Sequence, residues 1–241
     1  MRDGMKNERG KTMYRYEMHI HTAEGDIYAQ ISGAEIVRRY HDAGYSGLVV
    51  TDHYFSLFHE WFAHEIANAP HEKIIERWLR GYDAARNEGQ KLGFTVLPGA
   101  EVRFDGQIND YLVYGVDEEF FYHAPLLHQL QSLQELIDIL PDGAVVVQAH
   151  PFRDNMTVCD PAPLFGIEGY NAGTDPFRNE MAKIFAAHYH KKITSGSDLH
   201  NQDALAKGGI QTLRKIVCPK DLVAVLKDGA YSIIENGEAT K

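Results

Sequence analysis

Short β-rich runs alternate with stretches of helical periodicity along almost the whole chain, and that alternation restricts the fold more than any other feature. Strands separated by helices pair in parallel, because each helix carries the chain back across the sheet. Residues 14–20 read as the first strand. Ser32 and Glu35 form a capping box ahead of Ile36, Val37 and Tyr40, and Gly44 supplies the stop, so a helix begins near Gly33. Leu48, Val49 and Val50 have no polar residue alternating with them, which marks a strand buried on both faces. The expectation is an α/β fold of βα units around a mostly parallel sheet.

The pattern continues. A helix is expected over 71–92, with Ile74, Ile75, Trp78, Leu79, Tyr82 and Ala85 on one face, followed by strands at 94–97 and 111–116. Leu130 to Leu140 mark another helix, stopped by Pro141-Asp142-Gly143 before strands at 144–147 and 166–170. Asp175-Pro176 caps a helix through Met181, Ile184 and Phe185, and Ile193 opens the next strand. A strand at 213–217, a helix at 221–226 and a strand at 231–234 complete the reading. Without an internal repeat or a Pro/Gly/Ser-rich linker, residues 13–241 are expected to be a single domain. Residues 1–12, polar and mixed in charge, read as a flexible N-terminal tail rather than a signal peptide.

Composition narrows the partners. Lys and Arg number 24 against 34 Asp and Glu, a net charge of -10 that argues against a general nucleic-acid coat or an anionic membrane as partner. A small phosphorylated substrate remains open, since a local cation overcomes the mean field, and an oligonucleotide is the less favoured partner. The longest apolar run, residues 222–226, is far short of the roughly 18 residues that suggest a membrane span. Cys159 and Cys218 lack the spacing of a disulfide framework or zinc knuckle, so a reduced, cytoplasmic setting is expected.

Five of the thirteen histidines fall in four polar clusters: His19-Ile20-His21, Thr51-Asp52-His53, Ala149-His150-Pro151 and Ser197-Asp198-Leu199-His200. Each follows an expected strand, and Glu101 follows the strand at 94–97 in the same way. Strand ends of a parallel βα barrel meet at one rim, where barrel active sites lie. His19 and His21, two apart on a strand, face the same way and can share one ion. A lone histidine after a strand is ordinarily a surface or hydrogen-bonded residue. Five of them with Glu101 and Asp198 would be costly to gather on a buried rim without a cation. Imidazole and carboxylate ligands suit zinc, iron or manganese, and the set is too large for one tetrahedral ion, so two or more metals follow. The other eight histidines read as surface residues.

These motifs resemble those of the polymerase and histidinol phosphatase (PHP) superfamily: His19-Ile20-His21-Thr22, Val49-Val50-Thr51-Asp52-His53, Gly99-Ala100-Glu101, Ala149-His150-Pro151 and Gly196-Ser197-Asp198-Leu199-His200 stand in that family's order. The resemblance implies a distorted (β/α)7 barrel with up to three divalent metals (zinc, manganese or iron) and metal-dependent hydrolysis of phosphate esters. It implies His19, His21, His53, Glu101, His150, Asp198 and His200 as ligands. A further ligand usually follows the first motif, and both Glu24 and Asp26 qualify. The family often has a histidine after the glutamate, but none occurs here between Glu101 and His123, and Asp110 is the substitute expected.

The expected chemistry is in-line attack on phosphorus by a metal-acidified water, with Asp198 and His150 as the catalytic pair. Substrates range from histidinol phosphate to nucleotides. Arg103 and Arg153, close after the Glu101 and His150 motifs, can either bind a substrate phosphate or pair with a neighbouring carboxylate on a loop, and the two readings stand level. Glu168 and Asn171 are expected to support the site from outside. The aromatic run Tyr54, Phe55, Phe58, Trp61 and Phe62 reads first as core packing, since 55, 58 and 62 share a helical face, and second as a lid over a substrate ring. Two other classes compete: an amidohydrolase-like attack on a C–N bond, against which no lysine follows a mid-barrel strand, and an inactive metal-binding scaffold.

Overall fold

The computed structural model describes residues 11–240 together with the backbone of the two-residue strand β1 (Met5–Lys6). The tail expected over 1–12 thus lies largely outside the described residues; within it, β1 pairs antiparallel with Thr12 and Met13 at the start of β2 (Thr12–Glu17). Helix α1 (Gly33–Asp42) starts where the capping box places it, with the Glu35 N–H donating to Ser32 Oγ at 3.3 Å. Strand β3 (Gly47–Val50) is buried throughout, and after Thr51 and Asp52 the chain resumes as the short β4 (His53–Tyr54). The aromatic run spans the end of β4 and the short helix α2 (Ser56–Trp61), with Phe62 between α2 and α3 (Ala63–Ile66); Phe55, Phe58 and Phe62 are all buried, as core packing requires.

The single helix expected over 71–92 is two, α4 (His71–Trp78) and α5 (Arg80–Leu92), with Leu79 between them. The break brings Gly81 against the loop after the first strand so closely that a Cβ there would stand 1.9 Å from Thr22 Oγ1. Strands β5 (Thr95–Pro98), β6 (Ala100–Val102) and β7 (Tyr111–Tyr114) follow, then α6 (Glu118–His123), α7 (Leu133–Ile139), β8 (Val145–Gln148), β9 (Gly166–Asn171), α8 (Pro176–His188) and β10 (Lys192–Gly196). The last elements are β11 (Ile210–Thr212), α9 (Pro219–Asp228), β12 (Tyr231–Glu235) and β13 (Glu238–Ala239). The strand expected at 213–217 is therefore displaced to β11, which pairs with both β2 and β12 and buries Ile210 and Thr212. Leu213 and Val217 have no strand partner and are exposed.

The strands form two sheets, one ordered β13-β12-β11-β2-β3-β5 with β1 beside β2, the other β10-β9-β8-β7-β6-β4. The mostly parallel sheet expected is mixed instead. β2, β3 and β5 are parallel neighbours, as are β4 with β6 and β8, β9 and β10, whereas β7 is antiparallel to both β6 and β8. Residues 103–110 between β6 and β7 are too few for the crossover that parallel pairing demands. The ladders do not close into one barrel. The sheets meet where β3 runs on into β4 and β5 into β6, and an isolated Ile20–Leu199 bridge links the ends of β2 and β10.

Alternation along each strand separates two apolar clusters. Tyr16, Val49, Leu97 and Ile210 of the first sheet and Leu112, Tyr114, Val145 and Val147 of the second share one cluster, with α9 contributing Leu222, Val225 and Leu226. Tyr114 spans it to donate to Met18 O at 3.0 Å. Leu48, Val50, Val113, Val146 and Ile167 point the other way, toward helices that include α1 and α5. No described helix is long and apolar enough to cross a membrane.

Candidate metal centre

His19 and His21 lie just beyond β2, His53 opens β4, Glu101 sits in β6, His150 follows β8, and Asp198 and His200 follow β10. All these positions meet at one rim. Asp110 joins them from the start of β7, because an antiparallel strand begins at the rim where its parallel neighbours end. Asp26 arrives on the loop ahead of α1. That loop is held by Asp52, which accepts from the Thr22 N–H at 2.6 Å and Thr22 Oγ1 at 2.7 Å. Burial pushes the Asp52 carboxyl up to about 7 despite those donors. Glu24 turns away: its carboxylate accepts from the Gly33 N–H at 2.9 Å, at the head of α1.

The rim side chains form four overlapping groups whose ligand-type atoms lie within 4.8 Å of one another: His21, Asp26, His53 and His200; His19, His21 and Glu101; His19, His150 and Asp198; and Glu101, Asp110 and His150. Glu101 Oε2 stands 2.8 Å from His53 Nδ1, 3.3 Å from His21 Nε2 and 3.4 Å from His19 Nε2. Asp198 Oδ1 is 3.3 Å from both His21 Nε2 and His200 Nδ1 and 3.6 Å from His19 Nε2. Both oxygens are buried, and neither makes a hydrogen bond of acceptable geometry; His21 Nδ1 and His150 Nδ1 are likewise unpartnered. Orphaned carboxylate oxygens among converging imidazole nitrogens are costly alone and suited to a divalent cation. The residues fit a metal centre with nitrogen and oxygen donors.

Protonation agrees with this. Burial disfavours an imidazolium at His19, but Glu168, Glu101 and Asp198 outweigh it and hold His19 well above the usual histidine range. Glu101 and Asp198, although burial works against their charge, are held well below the carboxylate range, chiefly by His19 with His53 in the first case and His19 with Arg153 in the second. Protons on histidines here supply the positive charge that cations would supply instead.

A layer of partners fixes these groups. Glu168 Oε1 lies 2.8 Å from His19 Nδ1, while Oε2 accepts from the His150 N–H at 3.0 Å and Asn171 Nδ2 at 2.9 Å. Gly196 permits this approach, since a Cβ there would stand 2.2 Å from His19 Cβ. Arg103 grips Asp110 through two bonds of 2.7 and 2.6 Å. Arg153 pairs with Asp198 and donates to Asn171 Oδ1 at 2.8 Å, and with Asp198 and His200 it lines a cavity of about 470 Å³. His150 and Asp198 both have left-handed backbones, φ 26° and 48°, a strain held by the surrounding bonds.

Glu17 escaped the sequence reading. It is fully buried and accepts from the N–H groups of Met18, His19 and Ser197 and from the hydroxyls of Tyr40 and Ser197, joining the ends of β2 and β10 beneath the metal-type ligands. A carboxylate inside an otherwise strand-forming run was the available signal. Among the histidines read as surface residues, His128 is buried, 3.0 Å from His59 Nε2 and 3.1 Å from Asp105.

Comparison with known proteins follows the geometry. A family model described as PHP-associated matches residues 176–231. No curated protein matches the chain significantly in sequence. A two-domain protein from Bacteroides vulgatus containing a predicted PHP-like metal-dependent phosphoesterase superposes with a TM-score of 0.67 at 14% identity, over 98% of this chain and 68% of its own. PsfC from Pseudomonas syringae gives 0.61 at 17% identity, over 88% of each chain. A lesion-specific endonuclease from Pyrococcus furiosus gives 0.57 at 13%, over 92% of this chain and 58% of its own. At such identities the likeness is one of fold. Over residues 176–231 the chain is similar to the PHP-associated family, and its fold is similar to that of a protein containing a predicted PHP-like metal-dependent phosphoesterase.

Proposed function

We propose that this chain is a metal-dependent phosphoesterase that hydrolyses a small phosphomonoester at the rim. Residues 13–241 would act as one domain, the two sheets together making a distorted (β/α)7 barrel. The observation that carries the reading is the pair of buried oxygens, Glu101 Oε2 and Asp198 Oδ1, each facing three imidazole nitrogens without a hydrogen bond. His19, His21, Asp26, His53, Glu101, Asp110, His150, Asp198 and His200 would hold two or three ions of zinc, manganese or iron, with Asp26 rather than Glu24 completing the group of His21, His53 and His200. Such ions supply charge neutralisation at phosphorus and an acidified water.

The chain's own contribution is orientation. Asp198, kept ionised by His19 and Arg153, accepts a hydrogen bond from the attacking water. Arg153, at the mouth of the cavity, and Arg103, beside Asp110, bind non-bridging phosphate oxygens with charge-assisted bonds. His150, set by Glu168 through its backbone N–H, faces Glu101 with Nε2 at 2.9 Å.

The test is turnover of p-nitrophenyl phosphate, histidinol phosphate, nucleoside monophosphates and short oligonucleotides after chelation and reloading with each metal. Phosphate release restored by metal, and abolished in His150→Ala and Asp198→Ala proteins that keep their circular dichroism, supports the proposal. Unchanged kcat in either variant refutes its assigned role. Cleavage confined to oligonucleotides would move the chain toward the endonuclease neighbour.

A further inference from the structure

His53 is among the more exposed members of the ligand cluster, and a file of aromatic rings runs outward from it. Phe55 meets His53 edge to face with centroids 4.8 Å apart, Trp61 meets Phe55 at 5.1 Å and Tyr28 meets Trp61 at 5.4 Å. Phe55 is buried and Trp61 half-buried, whereas Tyr28 is 63% exposed beside Ile27 at 54%. The outer end is tied to the same cluster. Tyr28 N–H donates to Asp26 Oδ1 at 2.7 Å, while Asp26 Oδ2 lies 3.2 Å from His200 and 3.4 Å from His53. Core packing accounts for Phe55, Phe58 and Phe62. It does not account for two large apolar side chains in water at the edge of a charged site. Tyr28 and Trp61 stand at 87° to each other, an edge-to-face corner that leaves ring surface open to a third ring.

We propose that Tyr28 and Trp61 form a subsite for a planar aromatic ring carried by the leaving group, so that the substrate class is an aryl or nucleobase-bearing phosphate. This deepens the phosphoesterase reading and rests on it for turnover. The phosphate is held on the Arg153 side of His200, and the ring lies on the His53 side, against Tyr28.

Tyr28→Leu and Trp61→Leu keep apolar bulk and remove the ring. In the metal-loaded protein, each is expected to lower kcat/KM for phenyl phosphate and nucleoside monophosphates about tenfold more than for glycerol phosphate, the scale of one base–aromatic stack. Equal effects on aryl and alkyl esters overturn the proposal. A binding arm needs no turnover: titration with phenylphosphonate and methylphosphonate, read by the fluorescence of Trp61, with Trp61→Phe assigning the signal against the buried Trp78. Tighter binding of phenylphosphonate by about tenfold, lost in Tyr28→Leu, sustains the subsite even if no ester is hydrolysed. Equal affinity for the two phosphonates, or binding of neither, overturns it.

Discussion

Glu168→Gln changes one atom outside the ligand set and is expected to disable one ligand. Glu168 Oε2 holds two donors, the His150 N–H and Asn171 Nδ2, whereas Oε1 faces only His19 Nδ1. A glutamine has a single acceptor oxygen, which the two donors retain, so its NH2 group points at His19 Nδ1. His19 must then accept there and carry its proton on Nε2, the atom that faces His21, Glu101 and Asp198. A protonated Nε2 cannot ligate. Loss of such an orienting partner costs about 10–100-fold in metal affinity, equivalent to about 1.4–2.7 kcal/mol. Competition with a chromophoric chelator measures the affinity, and the imidazole NMR shifts of His19 report the tautomer. Wild-type affinity in Glu168→Gln would refute the reasoning. So would additive losses in the His19→Ala/Glu168→Gln pair, because the second change should cost nothing once His19 is gone.

Elemental analysis of reconstituted protein is expected to find more than one divalent ion per chain, since the ligand groups overlap at four places; one ion or fewer counts against the centre. Asp110→Ala is expected to lower metal content without unfolding the chain, and Asp110→His to raise zinc occupancy, because a borderline nitrogen replaces a hard oxygen. Equal stoichiometry and affinity in wild type and Asp110→Ala would reduce Asp110 to the partner of Arg103. Burial lowers the His200 pKa, but Asp198 and Asp26 outweigh it and lift the group from 6.5 to about 10. A raised folded-state pKa contributes stability that is complete below about 6.5 and lost as pH passes 10, so the metal-free protein should lose Tm across that window. Bound metal, by displacing the proton, should remove the slope; a flat Tm in chelator would refute the assignment.

The sequence by itself determined the α/β class, the capped start of α1, the two-sided burial of β3 and most of the polar residues that gather at the rim, because each depends on local chemistry: a Ser-x-x-Glu box, an unbroken apolar run, a histidine after a strand. Glu168, expected from motif resemblance to support the site, does so from within β9. What local chemistry could not fix was anything set by which strand lies beside which. The antiparallel insertion of β7, and with it the arrival of Asp110 at the rim, follows from a connection too short for a crossover. The break at Leu79 goes with the close approach of Gly81 to Thr22, and the displaced strand at β11 with pairing to β2. Glu24 and Asp26 are two residues apart with the same chemistry, and only the packed loop sends one to the head of α1 and the other to His53 and His200. Glu17 is the clearest case: its donors come from residues up to 180 positions away, and no local pattern carries contacts that only the folded chain brings together.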